Sequence, residues 1–303
     1  MHAWEAIQKT IEIIESRLGE EITIEELSEN AALSVFYYQR LFSKLVKRPV
    51  REYIKLRRLA RACEALKNTE NRILDIALEY GFGSHEAFTR AFKETYGITP
   101  SEYKENIIDL RNFDKPDLLL KYTTVDLGIP LISDGFVLEM NKVALESPIN
   151  FAGTKRYASI AGLFPNGEVT GVDELGEVWR SFVEIENTIP SKKDGRKIGV
   201  AYHDNAAPEG YFPYFVGKEV DEILEDFENW ALPAGKYLVC RFEAENFEEL
   251  VSVALNKAFN FTRKWQNEKG LKMGTFGAEI YYKDTEGTEA GYAYMETWAL
   301  WLE

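Results

Sequence analysis

Through the first hundred residues apolar side chains recur every three or four positions, the period of a helix that buries one face. Residues 24–30 and 73–80 carry that pattern, and after each a tight turn leads into a second amphipathic stretch, opening at Ser34 and at Ser84. The two copies align at an offset of 50, with Ser34 on Ser84, Arg40 on Arg90, Phe42 on Phe92 and Tyr53 on Tyr103. A helix, a turn and a helix, twice over, is the simplest account. Beyond residue 146 the period changes. Strands are predicted at 150–160, 197–203 and 211–216 around a helix at 172–186, and again at 236–243, 277–283 and 292–302 around a helix at 247–268. Two β-α-β-β repeats imply an α+β domain, a concave sheet backed by two helices. The expected organisation is therefore multidomain: an all-α unit over 1–107, a connecting segment over 108–146 with an extended stretch at 136–143, and the α+β domain over 147–303.

Local chemistry supports the helical half. Thr23-Ile24-Glu25-Glu26 reads as a capping box, and Thr99-Pro100-Ser101-Glu102 repeats it with proline at the first helical position. Gly81 and Gly83 frame Phe82 and could suggest a phosphate-cradling loop. That loop would need a preceding buried strand and either a third glycine or a Lys-Ser/Thr ending, which GFGSHEAF lacks. The pair is read as turn chemistry, Gly81 taking a positive φ and Gly83 keeping the turn close.

Charge changes the picture once it is divided. The chain of 303 residues carries a net charge of −14, which taken whole argues against a polyanionic partner. Residues 1–104, however, hold 16 basic and 16 acidic residues, and all the excess negative charge lies beyond them. Residues 34–61 hold nine basic residues against the single acid Glu52, a polarised stretch of the kind that meets nucleic acid. No apolar run is long enough to span a bilayer, and the first residues lack a basic start followed by an apolar stretch, so a cytoplasmic protein without a membrane partner is expected. Two separated cysteines, Cys63 and Cys240, and three scattered histidines indicate neither a disulfide framework nor a metal site, and no cofactor is implied.

On the helix opening at Ser34, Tyr38, Leu41, Phe42 and Leu45 fall on one side, leaving Val35, Phe36, Gln39 and Arg40 on the other. On the helix opening at Ser84, Phe88, Ala91, Phe92 and Tyr96 face inward, leaving His85, Glu86, Thr89 and Arg90 outward. These outward groups lie in the first two turns, the part of a recognition helix that enters the major groove. Arginine suits guanine, glutamine adenine, glutamate the cytosine amine, and phenylalanine or a threonine methyl the thymine methyl. The bland alternative is that both arginines pair with neighbouring carboxylates.

The run from Thr23 to Lys104 resembles the AraC/XylS-type DNA-binding domain. Its second half matches that family's pattern at Ala77, Gly81, Phe82, Ser84, Phe88, Arg90, Phe92, Lys93, Gly97, Pro100 and Tyr103. The resemblance implies seven helices, one of them, over about residues 50–67, bridging the two units. It also implies base contacts at Phe36, Gln39 and Arg40 and at His85, Glu86, Thr89 and Arg90, with double-stranded DNA and RNA polymerase as partners. Phe36 departs from the tryptophan that the stress-activator branch often has there. The resemblance covers about a third of the chain, and here the domain leads where most of the family places it last.

The second half resembles the GyrI-like ligand-binding domain in its element order, in GAEIYY and in YMETWALWL, which ends on a Glu-x-x-x-Leu pattern. Alternation in the last strand puts Tyr292, Tyr294, Glu296, Trp298 and Leu300 on one face and Ala293, Met295, Thr297, Ala299 and Trp301 on the other. A carboxylate in an aromatic row is costly to bury unpaired, and the resemblance implies a use for it, the binding of lipophilic, cationic effectors. Glu296 is the matching residue, with Tyr294 and Trp298 beside it; Glu279, Tyr281 and Trp179 are further candidates, and Tyr157, Tyr202 and Phe215 are cavity or core. The expectation is a DNA-binding transcriptional regulator that senses a small lipophilic effector and is not an enzyme. The alternatives are a GyrI-like hydrolase using Glu296 as a general base and a module that binds only a protein partner.

Overall fold

A computed structural model describes residues 3–67, 71–160, 171–190, 192, 194–287 and 291–302. The chain divides into two compact units, Met1–Tyr122 with Phe164–Asp173 and Thr123–Leu163 with Glu174–Glu303.

The first unit contains α1 (Ala3–Ser16), α2 (Ile24–Asn30), α3 (Val35–Val46), α4 (Val50–Lys67), α5 (Ile73–Glu79), α6 (His85–Tyr96), α7 (Pro100–Glu105) and α8 (Leu118–Tyr122). A two-residue strand β1 (Leu110–Arg111) pairs with β5 (Gly171–Val172) in the same unit. Caps set the helix starts. Ser34 accepts the amide of Tyr37 and Ser84 that of Ala87, and at Thr99 both halves of the capping box with Glu102 are present. At Thr23 only the first half forms, because the Glu26 carboxylate bonds Arg17 instead. Gly81 has φ +70°, as its turn requires, whereas a side chain at Gly83 would meet open space, so nothing steric demands glycine there.

Each helix-turn-helix buries its own apolar cluster. Ile7, Ile11, Tyr38, Phe42 and Tyr53 lie in the first, and Leu59, Cys63, Ile76, Phe88, Phe92 and Tyr103 in the second. Helix α4 belongs to both: its residues through Leu56 pack in the first cluster and those from Leu59 in the second. Two arginines stand at that seam. Arg57 is buried and makes a two-pronged contact with Glu15 of α1, Nε to Oε1 at 2.8 Å and Nη2 to Oε2 at 2.9 Å. Tyr53 donates to the same carboxylate at 2.7 Å, and Arg57 also donates to the Phe113 carbonyl.

The second unit contains β2 (Leu131–Ser133), β3 (Phe136–Leu145), β4 (Ile149–Ser159), α9 (Glu174–Ile185), β6 (Lys197–Tyr202), β7 (Tyr211–Val220), β8 (Glu228–Leu232), β9 (Gly235–Ala244), a short helical turn α10 (Phe247–Glu249), α11 (Leu255–Glu268), β10 (Phe276–Tyr281) and β11 (Ala293–Leu300). Among the described residues, nine of its strands form one sheet in the order β2-β3-β9-β11-β10-β6-β7-β4-β8, antiparallel throughout. The β-α-β-β order occurs twice, as β4-α9-β6-β7 and as β9-α11-β10-β11, and the repeats meet where β6 pairs β10. The second helix, expected as one piece, is interrupted by a π-helical turn at Leu250–Ala254. The segment expected to be a connection is shared out. Residues up to 122 fold into the first unit, and β2 and β3 extend the sheet of the second beside β9.

One row across the sheet fixes its faces. Val216, Gly199, Glu279 and Thr297 are consecutive partners on β7, β6, β10 and β11, and directly paired residues share a face. Val216 packs in the cluster with Val178 and Phe182 of α9, and Thr297 meets Thr262 of α11 across their hydroxyls at 3.4 Å. Both helices therefore cover this face. The opposite face carries a core of Phe151, Val200, Phe215, Tyr237, Ile280 and Trp298.

Burial alone would raise the Glu15 carboxyl, but the hydrogen bonds and charge of Arg57, with help from Tyr53 and Arg61, hold it below the usual range. A folded pKa below the unfolded one means that the stabilisation is complete above the unfolded value and is lost as pH falls through the folded value. Arg57→Ala strands a buried carboxylate and is expected to cost about 3–5 kcal/mol at neutral pH. Urea unfolding should show the gap between Arg57→Ala and the parent closing as the pH is lowered below about 4; a gap independent of pH would mean that lost packing, not the charge pair, is responsible.

Candidate nucleic-acid interface and effector site

The outward faces of α3 and α6 carry the seven groups the helical period singled out. Phe36 is 70% exposed, Gln39, Arg40, Glu86 and Arg90 are exposed, and His85 and Thr89 are half-buried. Inward, Tyr38, Phe42 and Leu45 of α3 are buried, as are Phe88, Ala91, Phe92 and Tyr96 of α6. Leu41 is half-buried. Arg40 and Arg90 make no ion pair or side-chain hydrogen bond with the described residues, so the bland account of them as surface ion pairs has no partner to name. The exposed Phe36 ring meets that of Tyr37 edge to face, with centroids 5.7 Å apart, so two aromatic rings stand out together at the start of α3.

Two of the seven are less available. The Glu86 carboxyl is lowered by a hydrogen bond from its own amide and by the Ser84 hydroxyl, so it is engaged at the N-terminus of α6. The Thr89 hydroxyl oxygen is covered and has no hydrogen-bond partner among the described residues, leaving its methyl as the contact of choice. The basic stretch is also less uniform than its sequence. Lys44, Lys47, Arg51 and Lys55 are exposed, while Arg57 is committed to Glu15 and Arg58 donates to three backbone carbonyls.

The six effector candidates do not form one site. Ile280 is the direct partner of Glu296, so Glu279, its neighbour, projects from the other face of the sheet. Glu279, Tyr281 and Trp179 lie under the helices; Glu296, Trp298 and Tyr294 lie on the opposite face.

On the helix-covered face Glu279 is 4% exposed. Tyr214 donates to its Oε1, Tyr281 donates to its Oε2 at 3.2 Å, and Trp179 Nε1 of α9 donates to the Tyr214 hydroxyl at 2.9 Å. The rings of Trp179 and Tyr281 meet edge to face with centroids 4.7 Å apart. Burial first, and then the charge of Glu279, push the Tyr214 and Tyr281 phenols well above their ordinary range, so both remain donors. Room for this cluster comes from Gly199. A Cβ there would stand 2.1 Å from the Glu279 carboxylate and 2.4 Å from the Tyr214 hydroxyl, so any side chain would displace both. Gly199 and Tyr214 escaped the sequence reading; a glycine inside a strand that otherwise reads Ile, Val and Tyr was the available signal.

On the opposite face, Glu296 Oε2 accepts from the Tyr282 hydroxyl at 2.6 Å and from Trp298 Nε1 at 2.8 Å. Tyr282 stacks on Tyr294, and the Arg241 guanidinium lies 4.5 Å from the Tyr294 ring centre. Burial lowers and neighbouring carboxylates raise both nearby guanidiniums, Glu219 chiefly for Arg196 and Glu243 for Arg241; Glu296 contributes to each, and the net direction is upward. Glu296 thus sits in the field of two protein cations. Of the other aromatics, Phe215 is core, Tyr202 lies against Trp230 and Tyr157 is exposed.

Comparisons with known proteins divide the chain in the same way. Residues 27–106 match a family profile described as "Helix-turn-helix domain", and residues 154–299 one described as "Integron-associated effector binding protein". An uncharacterized HTH-type transcriptional regulator, YbfP, of Bacillus subtilis is 48% identical over 34% of this chain and 35% of its own length. Regulatory protein SoxS of Salmonella typhimurium is 34% identical over 33% of this chain and 94% of its own. A crystal structure of an integron cassette protein from the mobile metagenome of Vibrio cholerae aligns with 54% of this chain and 95% of its own, at 14% identity and a TM-score of 0.35, too slight a likeness to argue from. On the helix-turn-helix match, the chain belongs to the AraC-type family, with an effector-binding domain of the GyrI-like kind following the DNA-binding type of domain. It spans only 35% of the Bacillus relative. No helix among the described residues is long and apolar enough to cross a membrane.

Arg40→Ala and Arg90→Ala are each expected to weaken specific DNA binding by about 1–3 kcal/mol and to relax preference at one base pair, whereas Lys55→Ala weakens all sequences alike. Selection from random duplexes with each variant reads this directly. An unchanged preference with Arg90→Ala would remove α6 from the groove.

Proposed function

We propose that this chain is a cytoplasmic, sequence-specific DNA-binding regulator of transcription whose second unit takes up a small lipophilic cation beside Glu279. The observation that carries the DNA half is the pair of outward helix faces, each presenting an exposed arginine at the same repeat position without a protein partner among the described residues. Its partners are double-stranded DNA and, through the promoter, RNA polymerase. The second unit serves as a sensor and performs no catalysis.

For the effector, Glu279 is the better anchor of the two carboxylates. It lies on the central strand of the sheet beneath the two helices, walled by indole and phenol rings, where the absence of a side chain at Gly199 gives the carboxylate its room. A buried carboxylate among aromatic faces attracts a desolvated cation by charge and by the ring quadrupoles. Glu296 sees Arg196 and Arg241 from its own side of the sheet, which lowers its worth to an incoming cation.

The test is calorimetry with benzyltrimethylammonium and its carbon isostere neopentylbenzene, equal in shape and different in charge. Glu279→Gln keeps the size and an acceptor for the tyrosine hydroxyls, and it should weaken the cation by roughly tenfold, about 1.4 kcal/mol, while leaving the isostere unchanged. Glu296→Gln should leave both ligands unchanged. The reverse pattern would move the site to the opposite face, and turnover of a ligand, lost in either variant, would replace the sensor with a hydrolase.

A further inference from the structure

The two helix-turn-helix units of this chain have separate apolar cores, and what joins them at the seam is polar. Helix α4 leaves the first core at Leu56 and enters the second at Leu59. Between these lie Arg57, which is spent within the first unit on Glu15 and Phe113, and Arg58, which is spent across both. Arg58 Nε donates to the Leu18 carbonyl at 2.8 Å and Nη2 to the Glu20 carbonyl at 2.7 Å, both in the turn between α1 and α2; Nη1 donates to the Gly81 carbonyl at 3.2 Å, in the turn between α5 and α6. One planar fork is thus bonded to the turns of both units.

Two glycines permit that approach. A Cβ at Gly81 would stand 2.8 Å from the Arg58 guanidinium carbon, and a Cβ at Gly19 would stand 2.5 Å from the Glu79 carbonyl oxygen at the end of α5. The first is therefore needed for the fork, and the second lets the two turns touch. Around them lies an open groove of about 590 Å³, bounded by the α1–α2 turn, Arg51, Lys55 and Phe82. Apolar packing does not seal this side of the seam, so the hydrogen bonds of Arg58 carry the connection there. Burial lowers the Arg58 guanidinium pKa from its ordinary value, in keeping with a group withdrawn from solvent and bonded to neutral carbonyls.

We propose that Arg58 is a positioning residue which fixes the angle between the two helix-turn-helix units, and with it the spacing of α3 and α6, so that both recognition helices reach one duplex together. The inference rests on the DNA-binding reading above. Two sites held in fixed register act as a chelate, because binding the first presents the second at high effective concentration, and a loose joint forfeits that gain. Lysine cannot replace the fork, since a compact ammonium does not span three divergent carbonyls.

The experiment uses the full chain, its Arg58→Met and Arg58→Lys variants, and the duplex that the parent selects from a random pool. Affinities are measured on that duplex, on duplexes with either contacted half scrambled, and on one with a base pair inserted between the halves. Both variants are expected to lose about tenfold on the intact duplex, to keep their affinity for either half-site within about twofold, and to show a smaller penalty for the insertion than the parent. Equal losses on whole and half sites, or rescue by lysine, would make Arg58 an ordinary phosphate contact and overturn the proposal. A second measurement stands apart from DNA. Spin labels at the repeat-equivalent, exposed positions Lys44→Cys and Glu94→Cys should give a narrow distance distribution in the parent and a broad one with Arg58→Met; an equally narrow distribution overturns the clasp. If the parent selects no sequence, the regulator reading fails while the distance measurement still decides the role of Arg58.

Discussion

A charge taken out of water must find its donors or acceptors where it lies, and much of this molecule is arranged around that requirement. In the first unit Glu15 and Arg57 satisfy one another and, with Tyr53 and the Phe113 carbonyl, tie α1 and α4 to the segment after α7. In the second, Glu219 is 5% exposed and is held by Arg196 and Lys192. Glu279 follows a different solution. Two phenol hydroxyls, those of Tyr214 and Tyr281, donate to it, and the first is itself bonded by the Trp179 indole.

The same economy of polar contacts underlies the proposal that two small, separately cored units act as one reader. Neither α3 nor α6 alone offers more than a few side chains to a groove, and a handful of contacts yields modest specificity. On the proposed reading, a continuous helix with an arginine fork at the crossing point would convert two weak readings into one extended reading along the duplex. The acidic second unit adds no attraction to a polyanion, so on the same proposal the electrostatic draw falls to the exposed cations of the first, Lys44, Lys47, Arg51 and Lys55.

Most of the first unit was legible in the sequence, since its helices carry buried stripes and α2, α3, α6 and α7 open on side-chain caps. The inward residues of α6 could be read from spacing alone. The fates of Arg57 and Arg58 could not, because their partners lie 42 and 56 positions away for the first and 23 to 40 for the second, and nothing in a run of basic residues distinguishes a buried fork from a solvated one. In the second unit the alternation within β11 was readable, whereas the register between β10 and β11 was not. Pairing Ile280 with Glu296 is set by the segment that joins the strands, and a shift of one residue would have brought both glutamates to the same face. That single unit of register is why six candidate residues became two clusters. Strands β2 and β8 lie at the sheet's two ends and are three and five residues long, too short to carry an apolar alternation that announces them.

The central claim is that one chain reads DNA with both of its helix-turn-helix units. Hydroxyl-radical footprinting of the full chain on its selected duplex, at protein concentrations where sedimentation shows one chain per duplex, tests it most directly. The account predicts two protected patches on one face of the duplex, about 34 Å apart, unequal in sequence. One patch from a single chain, or a strict palindrome protected only when two chains are bound, would contradict it.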